Sequence, residues 1–169
     1  MARIEAGRYT ARIEDEFVLF LIGMRINRLW RPRQWWPVFV AMPPMIRELE
    51  AHPEKGMIHS RFALMGSSLA YVQYWRSFEH LADFARNPDD PHLPAWKEFN
   101  QRVRDSGDVG IWHETYRVGP GQFEAIYGNM PRWGLGRAFE HVPVGSTTGQ
   151  SAAKRIGASA EDETAVDPY

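Results

Sequence analysis

The chain contains no cysteine. That excludes a disulfide framework, a thiolate nucleophile, an iron–sulfur cluster, a Cys-based zinc site and a thiolate-ligated haem, and it suits a reducing compartment. An excess of charge of one sign is also missing. The 20 Lys and Arg against 21 Asp and Glu leave a net charge of −1, so no broad field draws the protein to nucleic acid or to an anionic membrane. Long apolar runs are lacking too. The stretch from Phe17 to Met24 falls well short of the about 20 residues that a bilayer crossing needs. The acidic residues before it, and the want of a small-residue cleavage site, do not fit a signal peptide. Together these absences predict a cytoplasmic protein without a membrane or nucleic-acid partner. Local catalytic signatures are missing as well: there is no zinc-protease histidine pair on a helix, no Gly-rich phosphate loop after a strand and no nucleophile elbow.

What is present is enough apolar material for a core without staples. With 169 residues, 44% of them hydrophobic, the chain can hold one domain and a tail. The polar opening, residues 1–15, reads as an arm. Phe17 to Asn27, continuous, β-branched and aromatic, reads as a strand buried on both faces. Prolines at 32, 37, 43 and 44 predict two helical pieces broken near Met42–Pro44. Met57–Met65 and Leu69–Trp75 form a hairpin around Gly66-Ser67-Ser68. Ser77 caps a helix from Phe78 to Arg86, and a second helix runs from His92 to Arg104 with Leu93, Trp96, Phe99 and Val103 at helical spacing. Val109–Val118 and Phe123–Tyr127 form another hairpin, turning at Gly119-Pro120-Gly121. Residues 129–144 read as an ordered, irregular cover, so that 16–144 makes the domain. Residues 145–169, rich in Gly, Ser, Thr, Ala and acids, read as a disordered tail.

This order predicts an α+β fold with a ferredoxin-like antiparallel sheet and helices on one face. Alternation gives the first strand two apolar sides, Phe17, Leu19 and Leu21 against Val18, Phe20 and Ile22. The strand at 109–118 divides likewise into Val109, Ile111, His113, Thr115 and Gly110, Trp112, Glu114, Tyr116. Helices cover one face only, so the other is expected to meet a second copy of the chain by two-fold pairing.

Three histidines are candidates for chemistry. His92 stands at a helix start after Asp89-Asp90-Pro91, where the dipole favours the neutral imidazole that a base or metal ligand needs; the competing reading is a solvent-exposed capping residue. His113 lies inside a strand, and Glu114 beside it faces the other way, so a cross-strand group must partner it. His80 makes an i, i+3 pair with Asp83 on a helix. His52, His59 and His141 read as structural. Trp75, Trp96, Trp112 and Tyr116 are the aromatics expected to line a pocket for a flat apolar ligand, with core packing the competing explanation. Arg25 and Arg76 sit in otherwise apolar strands and call for an anionic partner: a ligand carboxylate, a porphyrin propionate, Glu114 or Glu124.

Ile22-Gly-Met-Arg-Ile-Asn27, Gln73-Tyr-Trp-Arg-Ser-Phe-Glu-His-Leu81, Val109-Gly-Ile-Trp-His-Glu-Thr-Tyr116 and Glu124-Ala-Ile-Tyr-Gly-Asn-Met-Pro131 together resemble a bacterial monooxygenase-like family of unknown function. The likeness runs roughly from Gly7 to Val144. That family is similar to the dimeric α+β barrel superfamily, whose members include cofactor-free antibiotic-biosynthesis monooxygenases, haem-dependent spheroidene monooxygenase and haem-dependent aldoxime dehydratases. In simpler members a Trp-x-Ser-x-Glu segment precedes a helix and then a histidine. Trp75, Ser77, Glu79 and His92 fall in that order, although Phe78-Glu79-His80 departs from it.

The resemblance implies a homodimeric barrel and a monooxygenase-like oxidoreductase acting on a small apolar or aromatic molecule. Its alternatives are a haem-dependent dehydratase of the aldoxime type and a dimer that only binds a small apolar or haem-like ligand. In a haem version His113 or His92 ligates the iron, Arg25 or Arg76 pairs with a propionate and the remaining histidine is an acid–base partner. In a cofactor-free version the substrate itself reduces oxygen in a dry aromatic pocket.

Overall fold

The computed structural model describes residues 2–88, 97, 99, 101, 106–145 and 151–157. Along the chain it forms β1 (Glu5–Arg12), β2 (Phe17–Ile26), α1 (Pro32–Ala51), a 3-10 turn (Pro53–Lys55), β3 (Met57–Met65), β4 (Ser68–Trp75) and α2 (Phe78–Arg86). There follow β5 (Val109–Val118), β6 (Tyr127–Met130), α3 (Leu135–Ala138), β7 (Glu140–Pro143) and α4 (Ala152–Ile156). Phe17–Arg117 folds as one unit, and the chain on either side of it forms another.

The unit Phe17–Arg117 has a four-stranded sheet in the order β3-β4-β2-β5. β2 and β4 run antiparallel from the Val18–Trp75 pair to the Arg25–Ser68 pair. β3 is antiparallel to β4, with a register shift between Met57 and His59. On the other side of β2, the Asn27 amide donates to the Asp108 carbonyl at 3.0 Å while Gly23 lies under the Trp112 ring, so β5 runs against β2. Strand, helix, hairpin, helix and strand in this order give the expected ferredoxin-like arrangement. The helix-side core joins Val18 and Trp75 of the sheet to Met45 and Leu49 of α1 and Leu81 and Phe84 of α2. Ser77 caps α2 as expected, its Oγ accepting from the His80 amide. Of the helix expected over His92–Arg104, Lys97, Phe99 and Gln101 alone are described, and all three are helical.

α1 corrects the expectation of two pieces. It is a single helix with Pro37, Pro43 and Pro44 inside it. An interior proline removes a donor and crowds the carbonyl four residues back, at about 3 kcal/mol or more. Burial on the sheet side offsets this. Met45, Ile46 and Leu49 are buried, Ala41 and Met42 pack on the same cluster, and Val38 and Phe39 pack beside Met24 and Val109. Each large apolar side chain so buried contributes about 1.5–3 kcal/mol, and the apolar face is continuous across the proline pair.

The loop from β2 to α1 is held from below. Asp108, 1% exposed, takes Arg28 Nη1 at 2.7 Å and Arg31 Nη1 at 3.0 Å. Trp35 Nε1 donates to the Leu29 carbonyl at 3.1 Å.

The second unit contains a three-stranded sheet in the order β6-β1-β7, and two expectations change here. Residues 5–12 are not an arm but the central strand, antiparallel to both neighbours. Residues 129–144 are not irregular: they hold the end of β6, then α3 and β7. The hairpin expected between 109–118 and 123–127 does not form. Gln122 folds back on Gly119, its Oε1 accepting from the Gly119 amide at 2.9 Å, and the strand begins only at Tyr127 to pair with β1.

The polarity of β1 hid it, but polar strands pair well when charges match across them. Arg132 meets Glu5 at 3.1 Å and Arg12 meets Glu140 at 3.3 Å. The Arg132 guanidinium holds the Glu5 carboxyl below the usual carboxylate range, with His141 adding to the effect. His141 packs inside this unit. Its ring is fully buried with Nδ1 2.8 Å from Glu5 Oε2, and it stacks on Tyr9 at 4.6 Å. Gly136 lets this ring in, since a Cβ there would stand 2.6 Å from His141 Cδ2 and 2.9 Å from Tyr127 Cε2. Gly136→Ala is therefore expected to destabilise this unit by about 1–3 kcal/mol through overpacking, read as a lowered thermal midpoint.

Candidate active site

Within the unit Phe17–Arg117, a cavity of about 600 Å³ lies between the helix side of the sheet and helices α1 and α2. That is within the size range of small-molecule sites. Strand alternation builds its floor. Phe20, Ile22 and Met24 come from β2, and Ile111, His113 and Thr115 from β5, which are the helix-side sets of both strands. The space exists because the helices present small side chains above them, Ala41 from α1 and Ala82 and Ala85 from α2. Phe39, Phe62, Phe78 and Phe99 supply further aromatic wall.

The polar groups are few. His113 and Thr115 stand two apart on one face of β5, Tyr71 projects from β4 and Arg86 from the end of α2. The described lining contains no aspartate or glutamate. His113 is exposed, its ring 5.8 Å from that of Phe20. Burial, with Glu50 adding to it, pushes the Tyr71 hydroxyl above its ordinary range, so it is neutral near pH 7 and able to donate. Among the described residues no group of three His, Cys, Asp or Glu is placed to hold a metal ion.

The other candidates stand elsewhere. His80 lies in the first turn of α2, Nδ1 3.0 Å from Ser77 Oγ, packed over Gly56 and bordering a smaller recess with Glu54, Lys55 and Asp83. Arg25 is exposed on β2, on the sheet side facing away from the cavity by alternation. Arg76 is exposed just beyond β4, its amide donating to the Gly56 carbonyl. Trp75 is core, 1% exposed, with Nε1 donating to Gln73 Oε1 at 2.9 Å. Trp112 covers Gly23, and Tyr116 donates to Glu114 at 2.5 Å, both on the far side of the sheet. His92 and Trp96 lie outside the described residues. The structure thus brings His113 to the cavity and leaves Arg25, Arg76, His80, Trp75, Trp112 and Tyr116 off its walls. The residues that sequence reasoning missed are Arg86, Tyr71 and the phenylalanines. The signal for them was the β2 alternation together with the Leu81, Ala82, Ala85 stripe, which marks a helix face too slight to fill the space over the sheet.

If this volume is a binding site, filling it removes binding without unfolding. Ala82→Phe is expected to abolish fluorescence enhancement of an added apolar dye while leaving the circular dichroism spectrum unchanged.

No curated protein matches the chain. Among solved structures, an aldoxime dehydratase superposes with a TM-score of 0.63 at 18% identity, covering 86% of this chain and 45% of its own. The chain thus spans less than half the length of that dehydratase, and at this identity the likeness is one of fold. Rv0793 from Mycobacterium tuberculosis matches at 14% identity over 59% of this chain and 92% of its own, with a TM-score of 0.44. SnoaB, a cofactor-independent oxygenase from Streptomyces nogalater, matches at 12% identity over 60% of this chain and 91% of its own, with a TM-score of 0.37. The sequence pattern of the monooxygenase af470-like family matches residues 17–135, the greater part of the chain, and the chain belongs to that family.

Proposed function

We propose that the chain is a small-molecule enzyme whose apolar substrate binds between the sheet and helices α1 and α2 and reacts at His113. The observation that carries this reading is a single imidazole on the wall of a mostly apolar cavity whose only other polar lining groups, among the described residues, are Tyr71, Arg86 and Thr115, with no carboxylate. Dehydration of the aldoxime type is the reaction the fold likeness favours; oxidation, which the family's description suggests, is the alternative.

The lining fits a haem. Its apolar walls suit a porphyrin face; His113 would ligate the iron and Arg86, also on the lining, would pair with a propionate, the part first expected of Arg25 or Arg76. Bound haem would supply an iron centre that polarises or oxidises the substrate. The chain's own residues would do the rest. The strand would fix the imidazole, the Thr115 and Tyr71 hydroxyls would hold the polar end of the substrate, and the phenylalanines would exclude water. Hemin titrated into purified protein is expected to give a Soret band at one equivalent per chain, lost in His113→Ala with the melting temperature unchanged. No band in the parent protein would overturn the haem reading.

One observation favours a second, cofactor-free reading: among the described residues the His113 ring makes a ring contact with Phe20 and no hydrogen bond. That leaves a nitrogen able to accept a proton from bound substrate.

We also propose that the chain works as a pair. The sheet side away from the cavity carries Leu19, Leu21 and Trp112, all half-buried, and Tyr116, exposed. The superposed dehydratase chain, 45% covered, has length for two such units. Light scattering is expected to give twice the chain mass of 19.5 kDa.

A further inference from the structure

The whole-chain charge of −1 conceals a local asymmetry. Between Glu16 and Glu48 the chain has arginine at 25, 28, 31, 33 and 47 and not one acidic residue. Part of this stretch is the loop from β2 to α1, and it points apolar side chains outward. Leu29 is 70% exposed and Trp30 75%. Their exposure does not come from a loose loop. Arg28 and Arg31, either side of the pair, are both tied to the buried Asp108, and the Leu29 carbonyl is held by Trp35. The loop is a fixed knob with an apolar tip and guanidinium shoulders.

A second apolar tip lies at the same end of the sheet. Ser68 pairs with Arg25 on one side and Met65 on the other, so the β3–β4 turn and the end of β2 leave the sheet together. At that turn Leu64 is 72% exposed and Met65 45%. On α1, Trp36 and Val40, one turn apart, are exposed as well.

We propose that this end of the four-stranded sheet docks on the surface of an anionic lipid bilayer. Tryptophan belongs at the boundary between headgroups and acyl chains. Leu29, Leu64 and Met65 enter the acyl edge, and arginine side chains reach from there to phosphate. Apolar insertion and electrostatic attraction to anionic lipid add in peripheral binding, and both are here. Charge also argues against a second copy as the occupant. Two-fold pairing would set Arg28, Arg31 and Arg33, with one carboxylate among them, against their own equivalents. The knob begins α1, and α1 walls the cavity through Val38, Phe39 and Met42, so docking would bring that helix to the source of apolar ligands. The proposal does not depend on the reaction proposed at His113.

The test is co-sedimentation of the full chain with vesicles of equal parts phosphatidylglycerol and phosphatidylcholine, and with pure phosphatidylcholine. Binding to the first, weak binding to the second and release by salt are expected. Trp30→Ala combined with Leu64→Ala should abolish binding, and Arg33→Glu should weaken it about tenfold or more, each with an unchanged circular dichroism spectrum. No binding to either vesicle, or equal binding by parent and variants, overturns the proposal. So does a variant that leaves vesicle behaviour unchanged but shifts the mass in solution, which would assign this end to contact between copies.

Discussion

Trp75→Ala is expected to cost about 3–5 kcal/mol of folding stability, enough to consume much of the total for a domain of this size. Two terms add. The ring is 1% exposed and packs on Phe84 at 5.9 Å, so truncation leaves a cavity in the centre of the cluster with Val18 and Leu49. It also strands Gln73 Oε1, which accepts from Trp75 Nε1 in a residue 3% exposed. An orphaned buried acceptor costs about 1–3 kcal/mol. Urea unfolding checks both terms: Trp75→Phe should keep most of the packing, and Trp75→Phe combined with Gln73→Leu should recover part of the remainder. Ligand affinity of any variant that still folds should be unchanged, because this ring does not wall the cavity.

The second large effect is asymmetric. Converting Arg28 and Arg31 together to Met leaves Asp108, 1% exposed, with a buried carboxylate stripped of both guanidinium partners. Breaking a buried pair by removing the exposed side of it costs about 3–5 kcal/mol. Asp108→Asn should cost less, because the two arginines left behind are 42% and 51% exposed and can be hydrated where they stand. The difference between the two in chemical denaturation separates a clamp on the loop from a mere surface pair. If the two variants cost the same, Asp108 is not the group that needs compensation.

The fold of Phe17–Arg117 was legible because its signals are local. β2 is a run of apolar and β-branched residues, β3 and β4 flank a Gly-Ser-Ser turn, and Ser77 stands one residue before an apolar stripe. α1 was misread because the proline rule is also local, while the burial that overrides it is tertiary. β1, β6 and β7 were missed for a related reason. Their partners lie far away in sequence, and cross-strand matches such as Glu5 with Arg132 leave no periodicity in either strand alone. At the candidate site, alternation placed His113 on the helix side of β5 together with Ile111 and Thr115. It could not say that the rings near Trp75 and Trp112 would be spent on core and on the opposite side of the sheet. Nor could it reveal a void, which depends on how far Ala82 and Ala85 fall short of the floor beneath them.

The three-stranded sheet has a consequence for how the chain matures on the ribosome. Its central strand, β1, is synthesised well before its hydrogen-bonding partners β6 and β7, with Tyr9 pairing with Tyr127 and Pro143. Until those partners are made, both edges of that strand are unsatisfied. The contacts within Phe17–Arg117 become available earlier, and domains tend to fold as their residues appear. The nascent chain therefore holds a polar, charge-studded strand in waiting while Phe17–Arg117 condenses, and the same charges that hid β1 from pattern reading guard it against mispairing in the interval.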